Sequence, residues 1–155
     1  MIAPPASLCP GADLAECVAL LARPLVFVHG LFDGVTPAQR EQLDAAGRLG
    51  STLAIGLLSD RAAGIAGLEP RHDEQARAWA LHGMRSVAIT VLCDEPVPLQ
   101  LATWLRPQLW VWLDGGPIAP EAAAVLSRCH GRALCLPEIG WTASDQRLLR
   151  PRHAA

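Results

Sequence analysis

The segment 26–39 reads Val-Phe-Val-His-Gly-Leu-Phe-Asp-Gly-Val-Thr-Pro-Ala-Gln and gathers the chain's most chemically capable side chains. His29 offers an imidazole, Asp33 a carboxylate, and Thr36 and Gln39 neutral donors. Gly30 permits a close backbone approach. These residues lie between an apolar run and a helix start. A helix N-terminus presents oriented N–H groups and attracts anions such as phosphate. Side-chain donors placed there stabilise negative charge as it develops. Thr36, Pro37 and Gln39 also form a capping-box pattern, with Thr36 at the N-cap, Pro37 at N1 and Gln39 at N3. In that arrangement Thr36 and Gln39 bond to their own helix and are withheld from a ligand. His29 has two readings as well: an imidazole presented to an anion, or a polar residue hydrogen-bonded within the turn. Asp33 either braces the loop or lies beside a ligand.

The remaining chemistry is sparse. All 13 basic residues are Arg, and the chain has no Lys, Asn or Tyr. A GC-rich coding bias accounts for this composition. Its consequence is that Schiff-base, P-loop and general-base lysines are excluded. Arg147 and Arg150 are candidates for bidentate phosphate contacts, or lie on a solvated helix face. Arg106 reads as a helix-end residue facing the dipole. Cys9, Cys17, Cys93, Cys129 and Cys135 contain no C-x-x-C pair. Cys129, His130 and Cys135 invite a metal reading, but their spacing is poor. No metal site is expected, and the cysteines read as small buried apolar residues. His72 and His82 fit helix surfaces or ends, His130 a loop and His153 a tail.

The formal net charge of −2 gives no electrostatic footprint for nucleic acid. No apolar run approaches the roughly 18–20 residues of a membrane span. No basic segment precedes an apolar stretch at the N-terminus, so a cytoplasmic location is the expectation.

Positioning the candidate residues requires alternating strands and helices. Residues 1–12 read as a loose lead-in and Asp13 to about Ala22 as a short helix. Strand runs fall at 25–28, 53–58, 87–92, 109–113 and 133–136. Helices are predicted from Thr36 to Gly50, over 70–82, after Asp94-Glu95-Pro96, over 120–129 and over 142–149. The 70–82 helix is expected to turn Ala76, Trp79, Ala80 and Gly83 to one side. Ser59-Asp60-Arg61 reads as a polar turn. Trp110 and Trp112 should share a strand face, with Trp104 as a possible third member. The pattern predicts one α/β domain over 1–155. Its Rossmann-like parallel sheet of about five strands carries helices on both faces. Ligands of such sheets bind beyond the carboxyl ends of the strands, near the topological switch point.

Segment 26–39 resembles the first-strand motif of the HxGH nucleotidyltransferases, roughly G-x-F-D-x-x-H-x-G-H followed by a helix with Leu. That family includes the cytidylyltransferases and the adenylyltransferase domain of ADP-heptose synthase. Gly30, Phe32, Asp33 and Leu43 match the frame without a gap. Residues 51–60, ending in Ser59-Asp60, resemble the family's second strand. Asp94-Glu95 through Leu99, then Leu105-Arg106-Pro107, resemble the ADP-heptose synthase pattern D-E-x-x-P-L and L-R-P. Residues 140–149 weakly resemble its G-x-S-T-x-x-I-I stretch. The resemblance covers about residues 20–150.

The resemblance implies nucleotide-binding roles for Gly30, Phe32, Asp33 and Ala38, and catalytic positions at Thr36 and Gln39, with His29 beside them. Thr36 and Gln39 stand where the family has its two phosphate-binding His residues, and Ala38 stands at the intervening Gly. The family's phosphate-contacting Lys aligns with Trp112 through the Arg-Pro pair, or with Asp114 through the glycines. Neither is a cation. The resemblance implies a degenerate member that binds a nucleotide weakly and has little or no catalysis. The alternative is an active enzyme that moves AMP or CMP from ATP or CTP to a sugar phosphate or other phosphorylated alcohol. Pyrophosphate would leave, Mg²⁺ would neutralise the triphosphate, and an Arg such as Arg147 would grip it. The resemblance implies as partners the nucleotide and a sugar phosphate, with a second copy or a sugar kinase.

Overall fold

A computed structural model describes residues 18–113 and 118–135. Strands β1 (Leu25–Gly30), β2 (Thr52–Leu58), β3 (Ile89–Cys93), β4 (Leu109–Trp112) and β5 (Arg132–Cys135) form one sheet in the order β3-β2-β1-β4-β5. Every neighbouring pair is parallel. Helices α1 (Pro37–Gly47), α2 (Asp60–Ile65), α3 (Glu74–His82), α4 (Leu99–Leu105) and α5 (Pro120–Arg128) fill the crossovers. Strand order reverses beside β1: the chain winds outward through β2 and β3, then returns to pair β4 on β1's other side. This is the Rossmann-like α/β arrangement expected from the alternating pattern, and its switch point lies between β1 and β4.

Alternation along β1 divides the core. Leu25 and Phe27 pack with Leu101, Ala102 and Leu105 of α4 and with Ala122, Val125 and Leu126 of α5. Val26 and Val28 pack with Leu43 and Ala46 of α1 and with Ala78 and Leu81 of α3. Full burial of each large side chain stabilises the fold by about 1.5–3 kcal/mol. Both faces of β1 and β2 are covered, so these strands are almost wholly apolar.

Several boundaries differ from the sequence reading. Helix α1 stops at Gly47, with Arg48 as its C-cap, and not at Gly50. Gly50 instead meets a steric demand: a Cβ there would lie 2.6 Å from the Pro24 carbonyl oxygen. The supposed turn at Ser59-Asp60-Arg61 is the start of α2, where Ser59 Oγ accepts from the Ala62 N–H at 3.1 Å. Helix α3 begins at Glu74, because Asp73 caps it by accepting from the Ala76 N–H at 2.8 Å. Its buried residues are Arg77, Ala78 and Leu81, while Ala76, Trp79, Ala80 and Gly83 face solvent. The hydrophobic pattern misassigned that face because the helix buries an Arg. Strand β3 begins at Ile89, since the Val87 N–H is bound to the Met84 carbonyl in a turn. Trp110 and Trp112 do share a face, with ring centroids 5.3 Å apart. Trp104 is 45% exposed and does not join them. Half of the helix expected over 13–22, residues 13–17, and all of that over 142–149 lie outside the described residues; of the described remainder, 18 and 19 are helical.

Candidate functional site

A cavity of about 720 Å³ opens at the carboxyl ends of β1 and β4. It brings together His29, Gly30, Phe32, Asp33, Thr36, Ala38, Gln39 and Trp112, eight of the ten residues singled out from the sequence. Asp114 and Arg147, together with Arg150, fall outside the described residues. Gln42, Leu58, Ala66, Leu68 and Pro96, none of them a site residue named from the sequence, complete the wall; Ala66, Leu68 and Pro96 follow the ends of β2 and β3, where ligands of such sheets are expected. None of the described lining residues is Arg.

The Gly30-to-Thr36 connection is shaped by one unusual backbone. Phe32 has φ 51° and is buried. A bulky residue in the left-handed region costs about 1–3 kcal/mol and persists only where its surroundings fix it. Here the ring packs in the core cluster with Leu43 and turns toward Gly30. A Cβ on Gly30 would stand 3.2 Å from the Phe32 ring, so the glycine makes room for that turn.

At the head of α1 the capping box closes on itself. Thr36 Oγ1 accepts from the Gln39 N–H at 3.2 Å, and Gln39 Oε1 accepts from the Thr36 N–H at 3.1 Å. Pro37 has no N–H. Of the first three helical positions, only Ala38 presents an amide outside this closed pair.

Asp33 lies on the cavity wall, and its carboxylate is engaged. Oδ2 accepts from the Arg71 N–H at 2.6 Å. Oδ1 lies 3.1 Å from the His72 N–H and 2.9 Å from His72 Nδ1. The Arg71 backbone bond, followed by the His72 side chain, holds the Asp33 carboxyl below the usual carboxylate range. Asp33 therefore ties the loop after β1 to the segment before α3. Among the described residues no three His, Cys, Asp or Glu side chains gather as a cation cage.

Beneath this loop lies Arg77, a residue no motif signalled. It is 1% exposed. Nη1 donates to the Leu31 carbonyl at 2.9 Å and the Leu58 carbonyl at 2.6 Å. Nε donates to the His72 carbonyl at 3.1 Å, and Nη2 pairs with Asp60 at 2.8 Å. One guanidinium therefore joins the ends of β1 and β2, the head of α2 and the segment before α3. Burying such a charge is tolerable because its fork is matched by acceptors. Ser59 and Asp60, the Ser-Asp at the end of β2, serve the same framework. Ser59 Oγ donates to Asp94 Oδ1 at 2.7 Å while capping α2.

On the other face of β1, His29 sits among rings. Its imidazole meets Trp110 and Trp112 edge-on, with centroids 5.4 Å and 4.6 Å away, and Phe27 at 6.4 Å. Trp110 Nε1 donates to His29 Nδ1 at 2.9 Å. His29 belongs to the end of β1 and not to the following turn. Trp112 is buried, and its Nε1 has no hydrogen-bond partner among the described residues. Burial above all, with the charges of Glu95 and Asp94, pushes the Cys93 thiol up to about 12.

A parallel sheet of this order, with a ligand-sized cavity at its switch point, defines a Rossmann-like α/β protein. The fold matches the crystal structure of the lipopolysaccharide core biosynthesis protein from Thermoplasma volcanium GSS1, with a TM-score of 0.63 and 19% identity. The match covers 73% of this chain and 95% of that one. No protein-family model matches the chain. It is 36% identical over 135 residues to the D-beta-D-heptose 1-phosphate adenylyltransferase of Bordetella bronchiseptica, covering 81% of this chain and 82% of that protein. It is 38% identical over 135 residues to the bifunctional protein HldE of Gluconobacter oxydans, covering 84% of this chain. The corresponding figures for HldE of Azorhizobium caulinodans are 35%, 147 residues and 89%. The chain spans 28% and 30% of the length of these two bifunctional relatives. The chain belongs to the D-beta-D-heptose 1-phosphate adenylyltransferase family, whose character is nucleotidyltransferase-like. Among the described residues no helix is long and apolar enough to cross a membrane.

Proposed function

We propose that this protein is a degenerate nucleotidyltransferase that binds ATP or CTP weakly in the β1–β4 cavity and transfers little or no nucleotide. The observation that carries this reading is the closed capping box at the head of α1. The side chains of Thr36 and Gln39 are bonded to the helix backbone at the positions that the family resemblance assigns to phosphate-binding His residues. Both are also neutral, and charge-assisted bonds are roughly twice as strong as neutral ones. Loss of one transition-state donor typically costs about 3–4 kcal/mol, and loss of two costs more without being additive. The composition adds a third loss, because no Lys exists anywhere in the chain. Any Mg²⁺ arrives with the triphosphate, since Asp33 is committed to Arg71 and His72. In this reading the domain works as a cytoplasmic binding module, paired with itself or with a sugar kinase.

One observation favours an active enzyme: the cavity holds an imidazole, His29, next to Gly30. That enzyme would move AMP or CMP to heptose 1-phosphate or another phosphorylated alcohol. Pyrophosphate release, assayed with ATP or CTP, Mg²⁺ and either heptose 1-phosphate or glycerol 3-phosphate, separates the two readings. The degenerate reading expects background release only. Turnover that survives purification and vanishes in His29→Ala establishes the enzyme instead.

A further inference from the structure

We infer that Trp112 is a specificity-determining residue of the β1–β4 cavity. Its indole N–H is held for an uncharged acceptor on the ligand, so the cavity grips the nucleoside part of a nucleotide and gains little from its phosphates. This deepens the proposed nucleotide reading and rests on it.

The inference starts from a donor that is buried and unspent. Trp112 closes β4 and lines the cavity, yet it is only 5% exposed. An indole N–H donates and never accepts. The two indoles on this strand face differ in one respect. Trp110 Nε1 donates to His29 Nδ1 at 2.9 Å, whereas Trp112 Nε1 has no acceptor among the described residues. Its ring neighbours pack without serving it: His29 meets it edge-on with centroids 4.6 Å apart, and Trp110 lies tilted at 5.3 Å. A buried donor without an acceptor weakens the fold, and a purely apolar side chain would avoid that loss. The donor turns favourable when a ligand brings an acceptor into the space the ring borders. Binding turns the ring toward the cavity and exchanges an unpaired donor for a paired one.

The class of acceptor follows from the donor and its surroundings. The family resemblance places a Lys here, and an ammonium is a point charge that favours anions. An indole N–H is neutral, so a carbonyl, a hydroxyl or a ring nitrogen serves it without carrying a charge. The wall around it does not restore a preference for anions. The Asp33 carboxyl is held below its usual range, so it is ionised at neutral pH and repels phosphate. Thr36 and Gln39 are bonded into their own capping box. Leu31, Leu58 and Leu68 add apolar wall suited to the faces of a base.

The test follows the indole ¹⁵N–H resonances of the full chain, which has five Trp residues. The Trp112 signal is assigned by triple-resonance spectra. Adenosine, AMP and Mg-ATP are titrated separately. The three dissociation constants should agree within about threefold, and each ligand should shift the Trp112 signal. Trp112→Phe keeps a ring without the donor and should weaken adenosine binding about fivefold. Trp112→Lys returns the cation, so Mg-ATP should then bind at least about tenfold more tightly than adenosine. Wild-type Mg-ATP binding more than about threefold tighter than adenosine binding overturns the inference, as does a Trp112 signal unmoved by bound adenosine. Either result leaves the nucleotide reading standing. A folded Trp112→Phe protein with wild-type adenosine affinity, or a folded Trp112→Lys protein without preference for Mg-ATP, also overturns it. If neither variant folds, the wild-type titrations decide by themselves. If none of the three ligands binds at millimolar concentration, the nucleotide reading fails and the inference falls with it.

Discussion

The two faces of β1 meet the same cavity and are built on opposite principles. On the Val26 and Val28 side, Arg77 gathers three carbonyls and the Asp60 carboxylate, so the guanidinium is bonded through all its nitrogens. On the Phe27 side, three rings surround His29, and the indole N–H of Trp112 is buried without a partner among the described residues. The first region spends its polar groups on holding loops together. The second places the imidazole of His29 and the indole of Trp112 on the cavity wall. The guanidinium charge of Arg77 is therefore structural. This difference underlies the proposal of weak binding without transfer.

The largest expected effect is on the structural side. Arg77→Met should destabilise the fold by about 3 kcal/mol, the low end for breaking a buried pair. Asp60 can return to water, whereas the Leu31 and Leu58 carbonyls lose a common donor. Denaturant unfolding reads the loss, and a shift below about 1 kcal/mol would show that the network is dispensable. The restored triple variant Thr36→His, Ala38→Gly, Gln39→His comes next. It returns two imidazoles and a glycine to the helix head, and charged hydrogen bonds contribute about 1.5–3 kcal/mol each. A tenfold or greater gain in Mg-ATP affinity is expected. Thr36→Ala should cost about 1 kcal/mol of stability through the lost cap. His29→Ala should cost about 1–3 kcal/mol, because the buried Trp110 indole N–H loses its acceptor, and should also lower nucleotide affinity, which Thr36→Ala should leave unchanged. An equal loss of affinity in both would erase the distinction between the two regions.

The smallest effect concerns pH. Asp33 has a lowered carboxyl pKa in the folded protein. Its contribution is present above the unfolded value of about 3.9 and is lost as pH falls through the lower folded value. The amide resonances of Arg71 and His72 should therefore hold steady to about pH 4 and move only under stronger acid. Movement of both amides between about pH 5 and 7 would locate the brace on another group.

What was legible in the sequence was local. The capping box, the buried strands and the Gly30-Phe32-Asp33 frame are written in residues a few positions apart, and each appears in the structure. The partners of Asp33 and Arg77 lie far away in the chain. Asp33 binds residues 38 and 39 positions on, and Arg77 reaches back 46 positions to Leu31. No periodicity signals such bonds. The buried guanidinium also explains the misread face of α3, because an Arg counts as polar in any amphipathic pattern. Helix α2 was missed although Ser59-Asp60 followed by Ala62-Ala63 is a fair N-cap signal. Asp114 and Arg147 lie outside the described residues, so the site is defined here by its β1 and α1 components.

In the proposed reading, the helix head has lost its grip on phosphate while the cavity persists. Calorimetric titration of Mg-ATP into the wild-type protein and the restored triple variant tests it most directly, with pyrophosphate release followed on the same samples. The account predicts roughly millimolar binding for the wild type, near −4 kcal/mol, at least tenfold tighter binding for the triple variant, and no wild-type turnover above background. Wild-type binding as tight as the variant's, accompanied by sustained pyrophosphate release, would contradict it.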